Sequence, residues 1–174
     1  TPFYFLSFTI ILYLYLSEKI FNLKLLFIFF FLNYFFSLSW ISQSFQTGGA
    51  LYIALGILMI FLLSIFLALL NICLIGLLNK IVNKRNIRII LIPLSLTLVS
   101  MIKEFLLGGF PWNPSSIIWV NNLYILKILQ LIGIYGFGII NHLLIALFLY
   151  GLFNKQKIIL LSCSLLILVM YSLQ

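Results

Sequence analysis

The chain has 174 residues, of which 65% are hydrophobic and only 7% carry a charge. A soluble domain has about 25% charged residues, so this chain could not cover a folded surface with polar groups, which excludes a soluble globular protein. Its high hydrophobicity also excludes a disordered protein. The net charge of +8 comes from Lys and Arg residues, most of which stand in short clusters between apolar runs. We interpret these clusters as topology signals of a membrane protein and expect no nucleic acid partner.

Six apolar runs follow one another along the chain, at residues 1–16, 25–45, 50–78, 89–107, 126–153 and 158–173. They predict an all-α fold: a polytopic transmembrane helix bundle of about six helices, forming one domain over residues 1–174. We expect each complete run to be long enough to cross a hydrocarbon core of about 30 Å. β-Strands are excluded because the strands of a membrane barrel would alternate apolar and polar residues.

The first run, residues 1–16, is shorter than the ~20 residues that a spanning helix needs. It has neither a basic segment before it nor a small-residue cleavage site, so it is not a signal peptide. We interpret it as the end of a helix whose beginning is missing, which predicts that the chain is a fragment.

The loops between the runs alternate between basic and uncharged. Basic residues gather in residues 17–24, 80–88 and 154–157, whereas the loops near 46–49 and 108–124 carry no charge. Under the positive-inside rule the basic loops are cytoplasmic and the uncharged loops face outward.

Two tryptophans, Trp40 and Trp119, lie beside the uncharged loops. Tryptophan is enriched at membrane–water interfaces, where its amphipathic ring lies at the level of the head groups. We predict that both residues are interface anchors.

Two ionisable residues, Lys103 and Glu104, stand near the outward end of the fourth run. Such residues are costly in a membrane helix and usually pair, line a cavity or have a function. The long stem of Lys103 allows it to snorkel outward. Glu104 is shorter, so we expect it to be neutral or to bond a donor on another helix or loop, where it either ties the next loop down or contacts lipid.

The segment after Glu104 contains the residues of a rigid loop. Gly108 and Gly109 permit a positive φ that ends the helix, and Pro111 and Pro114 prevent the helix from continuing. The rings of Phe110 and Trp112 and the amide of Asn113 complete this segment, in which Glu104, Gly109, Phe110, Pro111, Trp112 and Asn113 are the candidate residues for lipid binding or loop structure. The pattern predicts an ordered re-entrant or interfacial loop.

Little else in the sequence carries chemistry. His142 has no second ligand-type residue at helical spacing, so we predict a hydrogen-bonded packing histidine and no metal site. Gly133, Gly136 and Gly138 are expected to allow close helix contact. No catalytic arrangement of nucleophile and base occurs in the sequence, and no cofactor is expected.

Three groups of motifs together resemble the apolipoprotein N-acyltransferases of the bacterial inner membrane. Their order and spacing agree with that family across nearly the whole chain, although the family usually has an Arg where this chain has Leu107. The motifs are Glu104-Phe105-Leu106 with Gly109-Phe110-Pro111-Trp112-Asn113, Leu38-Ser39-Trp40-Ile41-Ser42 with Gly48-Gly49, and Ile132-Gly133-Ile134-Tyr135-Gly136 with Ile140-Asn141.

The resemblance implies an enzyme that moves an acyl chain from a membrane phospholipid to the N-terminal amine of a diacylglyceryl-cysteine lipoprotein. It further implies that a Glu-Lys-Cys triad in a periplasmic nitrilase-like domain, which would follow the last run, performs the reaction. No catalytic residue is therefore expected in this chain. Its implied role is to anchor that domain in the inner membrane and to shape the site where lipid enters, with the loops near 46–49 and 108–124 in the periplasm.

Two other functions remain open from the residues alone. A non-enzymatic polytopic subunit, for example of an organelle-encoded respiratory complex, would suit the size and composition but gives no reason for the Gly-Phe-Pro-Trp-Asn string. A transporter would usually show internal repeats and broken helices with polar groups near the middle of the membrane.

Overall fold

The computed structural model describes residues 2–17, 22–109 and 112–172. These residues form six α-helices and two 3₁₀ helices. The α-helices are α1 (Pro2–Leu16), α2 (Leu23–Ser37), α3 (Ala50–Ile81), α4 (Arg85–Leu106), α5 (Leu123–Phe153) and α6 (Lys157–Ser172). The 3₁₀ helices, Ser39–Gly48 and Ser115–Trp119, follow α2 and α4 at the uncharged loops.

The described residues contain no β-strand, and the predicted all-α bundle of about six helices is confirmed. Continuous apolar runs form helices because a helix satisfies its own backbone groups, which lipid cannot do. Polar residues mark where two of the helices begin. Asn22 accepts hydrogen bonds from the N–H groups of Lys24 and Leu25 before α2, and Asn122 accepts one from Ile125 in the first turn of α5.

Three helices, α3, α4 and α5, are long and apolar enough to cross a membrane. A fourth candidate span combines α2 with the start of the first 3₁₀ helix, Ser39–Phe45, although the two are bent by 41°. The apolar helices α1 and α6 are shorter. The described part of α6 has 16 residues, which extend about 24 Å at 1.5 Å per residue.

The helix ends nearest the basic loops meet at one end of the bundle, which we call the basic end. The guanidinium of Arg85 lies 4.1 Å from the centroid of the Phe153 ring, and the Phe153 ring stacks on Tyr13 at 4.9 Å. Asn79 of α3 hydrogen-bonds Tyr15 of α1 beside them. The opposite end, which we call the neutral end, contains residues 38–49, 107–109 and 112–122.

Helix α4 packs along α5, and α2 packs along α3, while α1 touches α2, α4 and α5. At Gly138, α5 lies close to α4, because a Cβ there would lie 3.4 Å from both Thr97 and the Ser115 hydroxyl. The predicted close contact is thus confirmed at Gly138. Gly133 differs: its φ of 73° breaks α5 into two segments, and no neighbouring atom lies within 4 Å of its Cβ position.

Candidate functional site: a polar cavity within the bundle

Lys103 lies inside the bundle. It is only 1% exposed, its Nζ donates to the Tyr34 hydroxyl at 3.1 Å, and it lies 4.7 Å from the centroid of the Tyr34 ring. The expectation that Lys103 would snorkel outward is wrong. Side chains on a helix tilt toward its N-terminus, so the stem of Lys103 runs back along α4 into the bundle, where Tyr34 offers both an acceptor and a π face.

Glu104 lies on a neighbouring face of α4 and is half-buried. Its carboxyl group has no hydrogen bond or ion pair with residues 2–17, 22–109 or 112–172, so the donor that we expected is not among them. Its backbone carbonyl accepts from the N–H of Gly109 at 2.8 Å. Next to it, the ring of Phe105 is 87% exposed. A role for the Glu104 side chain in lipid contact or loop structure stays a prediction.

The loop after α4 begins as expected, with Gly108 at φ 78° and Gly109 at φ 81°. The next two candidate residues, Phe110 and Pro111, lie outside the described residues. Trp112 is half-buried, and its indole nitrogen lies 3.5 Å from the carbonyl oxygen of Leu107.

Asn113 is half-buried and has a φ of 52°, a left-handed conformation that Asn tolerates. It lines a cavity between the helices together with Pro114 and Ser115. Residues 113–115 therefore lie against the helices, and the prediction of an ordered re-entrant or interfacial loop stays a prediction.

Trp119 ends the second 3₁₀ helix and is 0% exposed. Its indole N–H donates to the side-chain oxygen of Asn141 at 3.0 Å, and the Asn141 amide donates to the carbonyl of Ser115 at 3.0 Å. The predicted anchor role of Trp119 is therefore wrong: its ring packs against Phe5, Phe137 and Tyr171 and does not face head groups.

Trp40 differs from Trp119 because it is 53% exposed on the first 3₁₀ helix at the neutral end. An exposed, amphipathic ring at a bundle end is what an interface anchor requires. The anchor role of Trp40 stays a prediction.

His142 is 2% exposed, and both of its ring nitrogens have hydrogen-bond partners. Nε2 lies 2.9 Å from the Tyr4 hydroxyl, and Nδ1 lies 2.7 Å from the Thr97 hydroxyl. The prediction of a hydrogen-bonded packing histidine is confirmed. The contacts join α5 to both α1 and α4.

A cavity of about 190 Å³ is lined by residues of all five helices from α1 to α5 and of the segment 113–118. Hydroxyl, amide, imidazole and ammonium groups line it together with apolar side chains. The polar lining residues are Tyr4, Asn33, Tyr34, Ser37, Asn71, Ser100, Lys103, Asn113, Ser115 and His142.

Two residues at the centre of this cavity, Tyr34 and Asn71, were missed by the sequence analysis. The Asn71 amide donates to the Tyr34 hydroxyl at 2.9 Å and to the carbonyl of Leu67 at 2.9 Å. Asn71 stands alone within an apolar run, and Tyr34 follows Asn33 within another. An isolated polar residue in a membrane helix is itself a signal, since it needs a partner on another helix.

The sequence matches the family of the apolipoprotein N-acyltransferase N-terminal domain over residues 1–147. The chain belongs to this family. The match contains α1 to α4 and most of α5, including the cavity and the segment after Glu104, and it confirms the resemblance that the motifs indicated. No curated protein and no solved structure matches the chain.

Proposed function

We propose that this chain is the membrane domain of an apolipoprotein N-acyltransferase, which transfers an acyl chain from a phospholipid to the N-terminal diacylglyceryl-cysteine of a lipoprotein. The family match over residues 1–147 carries the proposal. The partners are the bilayer, the phospholipid donor and the lipoprotein substrate. Because the basic residues gather at one end of the bundle, the positive-inside rule assigns that end to the bacterial cytoplasm and the neutral end to the periplasm.

Within that enzyme, the role we assign to the chain is to hold the catalytic domain at the membrane and to shape the lipid access site. The residues that support this role lie at the neutral end, where acyl transfer would take place. Glu104 offers a carboxyl group that has no partner among the described residues, Phe105 offers an exposed ring, and Trp112 offers a half-buried one. A lipid has an apolar chain and a polar head, and this segment offers groups for both.

Each of the two alternative functions, a transporter and a non-enzymatic subunit, shares some features with this structure. A transporter would share the polar cavity and the break at Gly133, which are features that such proteins use. A non-enzymatic subunit would share the apolar exterior of the bundle. The family match favours the acyltransferase over both, since it includes the segment from Glu104 to Asn113.

The test is to produce the full native polypeptide in bacterial cells depleted of their own apolipoprotein N-acyltransferase. Mass spectrometry of lipoprotein N-terminal peptides measures the fraction that carries the third acyl chain. We expect the native polypeptide to restore this fraction. Glu104→Gln and Trp112→Ala should slow transfer about tenfold or more, the effect of losing one interaction of about 1.5–3 kcal/mol.

The matched control is Leu131→Ala, because Leu131 is 85% exposed on α5 and is not one of the candidate residues. This variant should acylate lipoproteins at the wild-type rate. Failure of the well-produced native polypeptide to acylate any lipoprotein would refute the proposed function. Normal transfer by both Glu104→Gln and Trp112→Ala would refute the role of this segment only.

A further inference from the structure

The ammonium group of Lys103 has more hydrogen-bond donors than the protein satisfies. A lysine ammonium has three N–H donors, and the only hydrogen bond of the Lys103 ammonium within the described chain goes to the Tyr34 hydroxyl. Lys103 is 1% exposed and lines the cavity. No described residue satisfies its remaining donors, and these donors are available to a ligand in the cavity.

The hydroxyl of Tyr34 adds a further donor. Its oxygen accepts from Asn71 and from Lys103, and both of those groups can only donate: the same Asn71 nitrogen also bonds a carbonyl oxygen, and a lysine ammonium has no lone pair. With its acceptor sites used, the Tyr34 O–H is left to donate, and no described residue accepts from it. Tyr34 also lines the cavity.

The charge of Lys103 has no counterpart among the described residues. Glu104 is the only acidic residue within residues 2–17, 22–109 and 112–172, and it forms no ion pair. An isolated charge within a protein is strongly destabilising unless an opposite charge accompanies it. An anion in the cavity would both neutralise Lys103 and accept the free donors.

We infer that the cavity beside Lys103 and Tyr34 binds a phosphate group. A phosphate has several charged oxygens, which can accept from the ammonium and the hydroxyl together through charge-assisted hydrogen bonds. The site does not depend on the acyl-transfer reaction, because its main groups lie within the bundle and bind the anion without reacting with it.

The phosphate group can belong to a phospholipid or to free phosphate, and the surroundings favour the lipid. A second cavity shares Asn33 and Ser37 with the first one and is otherwise lined by Ser7 and by the apolar residues Phe29, Leu32 and Phe36. Leu32 and Phe36 are exposed on the surface of α2. An acyl chain therefore has an apolar path directly beside the polar cavity.

The experiment measures the thermal unfolding of the delipidated full native polypeptide in an uncharged detergent while one ligand is titrated. The ligands are dioleoylphosphatidylglycerol, dioleoylglycerol, oleate and sodium phosphate, and the midpoint of the stabilisation gives an apparent Kd. We expect dioleoylphosphatidylglycerol to stabilise the protein, and dioleoylglycerol, which has the same chains and no phosphate, to have no effect. Stabilisation by sodium phosphate alone would assign the site to free phosphate.

Three variants show whether Lys103 and Tyr34 form the site. Lys103→Gln should bind dioleoylphosphatidylglycerol about tenfold to hundredfold more weakly, the range for hydrogen bonds to a charged group. Tyr34→Phe retains the ring under Lys103 and should weaken binding by a smaller factor, so it tests the site if Lys103→Gln does not fold. Lys127→Gln removes a charge from an exposed position of α5 and should bind normally.

Several results would overturn the inference. Equal binding by Lys103→Gln and wild type would show that the charge is not used. Equal binding of dioleoylglycerol would show that the protein recognises acyl chains only, and equal binding of oleate would remove the preference for phosphate. Since every readout is binding, failure here is distinct from failure of lipoprotein acylation.

Discussion

Asn141 connects the segment after α4 to the interior of the bundle, and we expect its removal to loosen that segment. Its side chain is 0% exposed, accepts from the Trp119 indole at 3.0 Å and donates to the Ser115 carbonyl at 3.0 Å. Asn141→Ala removes both bonds and leaves a buried N–H and a buried C=O without a partner. An unpaired buried polar group is more costly than the bond itself is favourable.

The size of the effect follows from these two hydrogen bonds. In membrane proteins a side-chain hydrogen bond between helices contributes about 0.6 kcal/mol on average and up to about 1.7 kcal/mol. For two bonds we therefore expect Asn141→Ala to lower the free energy of unfolding by about 1–3 kcal/mol.

The assay is unfolding of the purified chain by sodium dodecyl sulfate in mixed micelles, followed by circular dichroism. The matched control is Asn154→Ala at the end of α5, where the exposed amide only bonds the carbonyl of Tyr150 in its own helix. This control should change the free energy of unfolding by no more than about 0.5 kcal/mol. If Asn141→Ala also stayed within that range, the reasoning would be refuted, and apolar packing of Trp119 would be sufficient to hold the segment.

Two further predictions concern packing and orientation. Gly138→Ile should lower the free energy of unfolding by about 1–3 kcal/mol in the same assay, because the isoleucine side chain would overpack the contact with α4. Gly138→Ala should be nearly neutral. Equal effects of the two substitutions would contradict the close contact. The orientation is tested in a chain with Cys73 and Cys163 replaced by Ser. A membrane-impermeant maleimide should label Asn121→Cys in intact spheroplasts, and it should label Lys84→Cys only after lysis. The reverse pattern would refute the proposed orientation.

The sequence predicts the helices well because their apolar runs are continuous and end at polar or glycine residues. The predicted run at 50–78 is α3 at Ala50–Ile81, and the run at 126–153 is α5 at Leu123–Phe153. The second run, at 25–45, is divided between α2 and a 3₁₀ helix. The break lies at Leu38, between Ser37 and Ser39, where polar residues begin to alternate with apolar ones.

The direction in which a polar side chain points was less predictable. Lys103 and Trp119 are both residues that would suit a membrane interface, and both are buried. The reason is a partner on a distant part of the chain, Tyr34 for Lys103 and Asn141 for Trp119. A single sequence shows that such partners are needed, but it does not show which isolated polar residue meets which.

Those pairings also explain how this bundle acquires one arrangement. The helices are apolar on most faces, and in lipid apolar contact alone gives little preference for one neighbour over another. Hydrogen bonds supply the preference, since a buried polar group is satisfied only beside its partner. The pairs that join neighbouring helices are His142 with Thr97 (α5 to α4), Asn71 with Tyr34 (α3 to α2) and Lys103 with Tyr34 (α4 to α2). His142, Thr97, Asn71 and Tyr34 each lie roughly three turns from the basic end of their helix, whereas Lys103 does not. The polar layer that builds the cavity is therefore the same layer that fixes which helices are neighbours, so substitutions that empty the cavity of polar groups should also reduce the specificity of the fold.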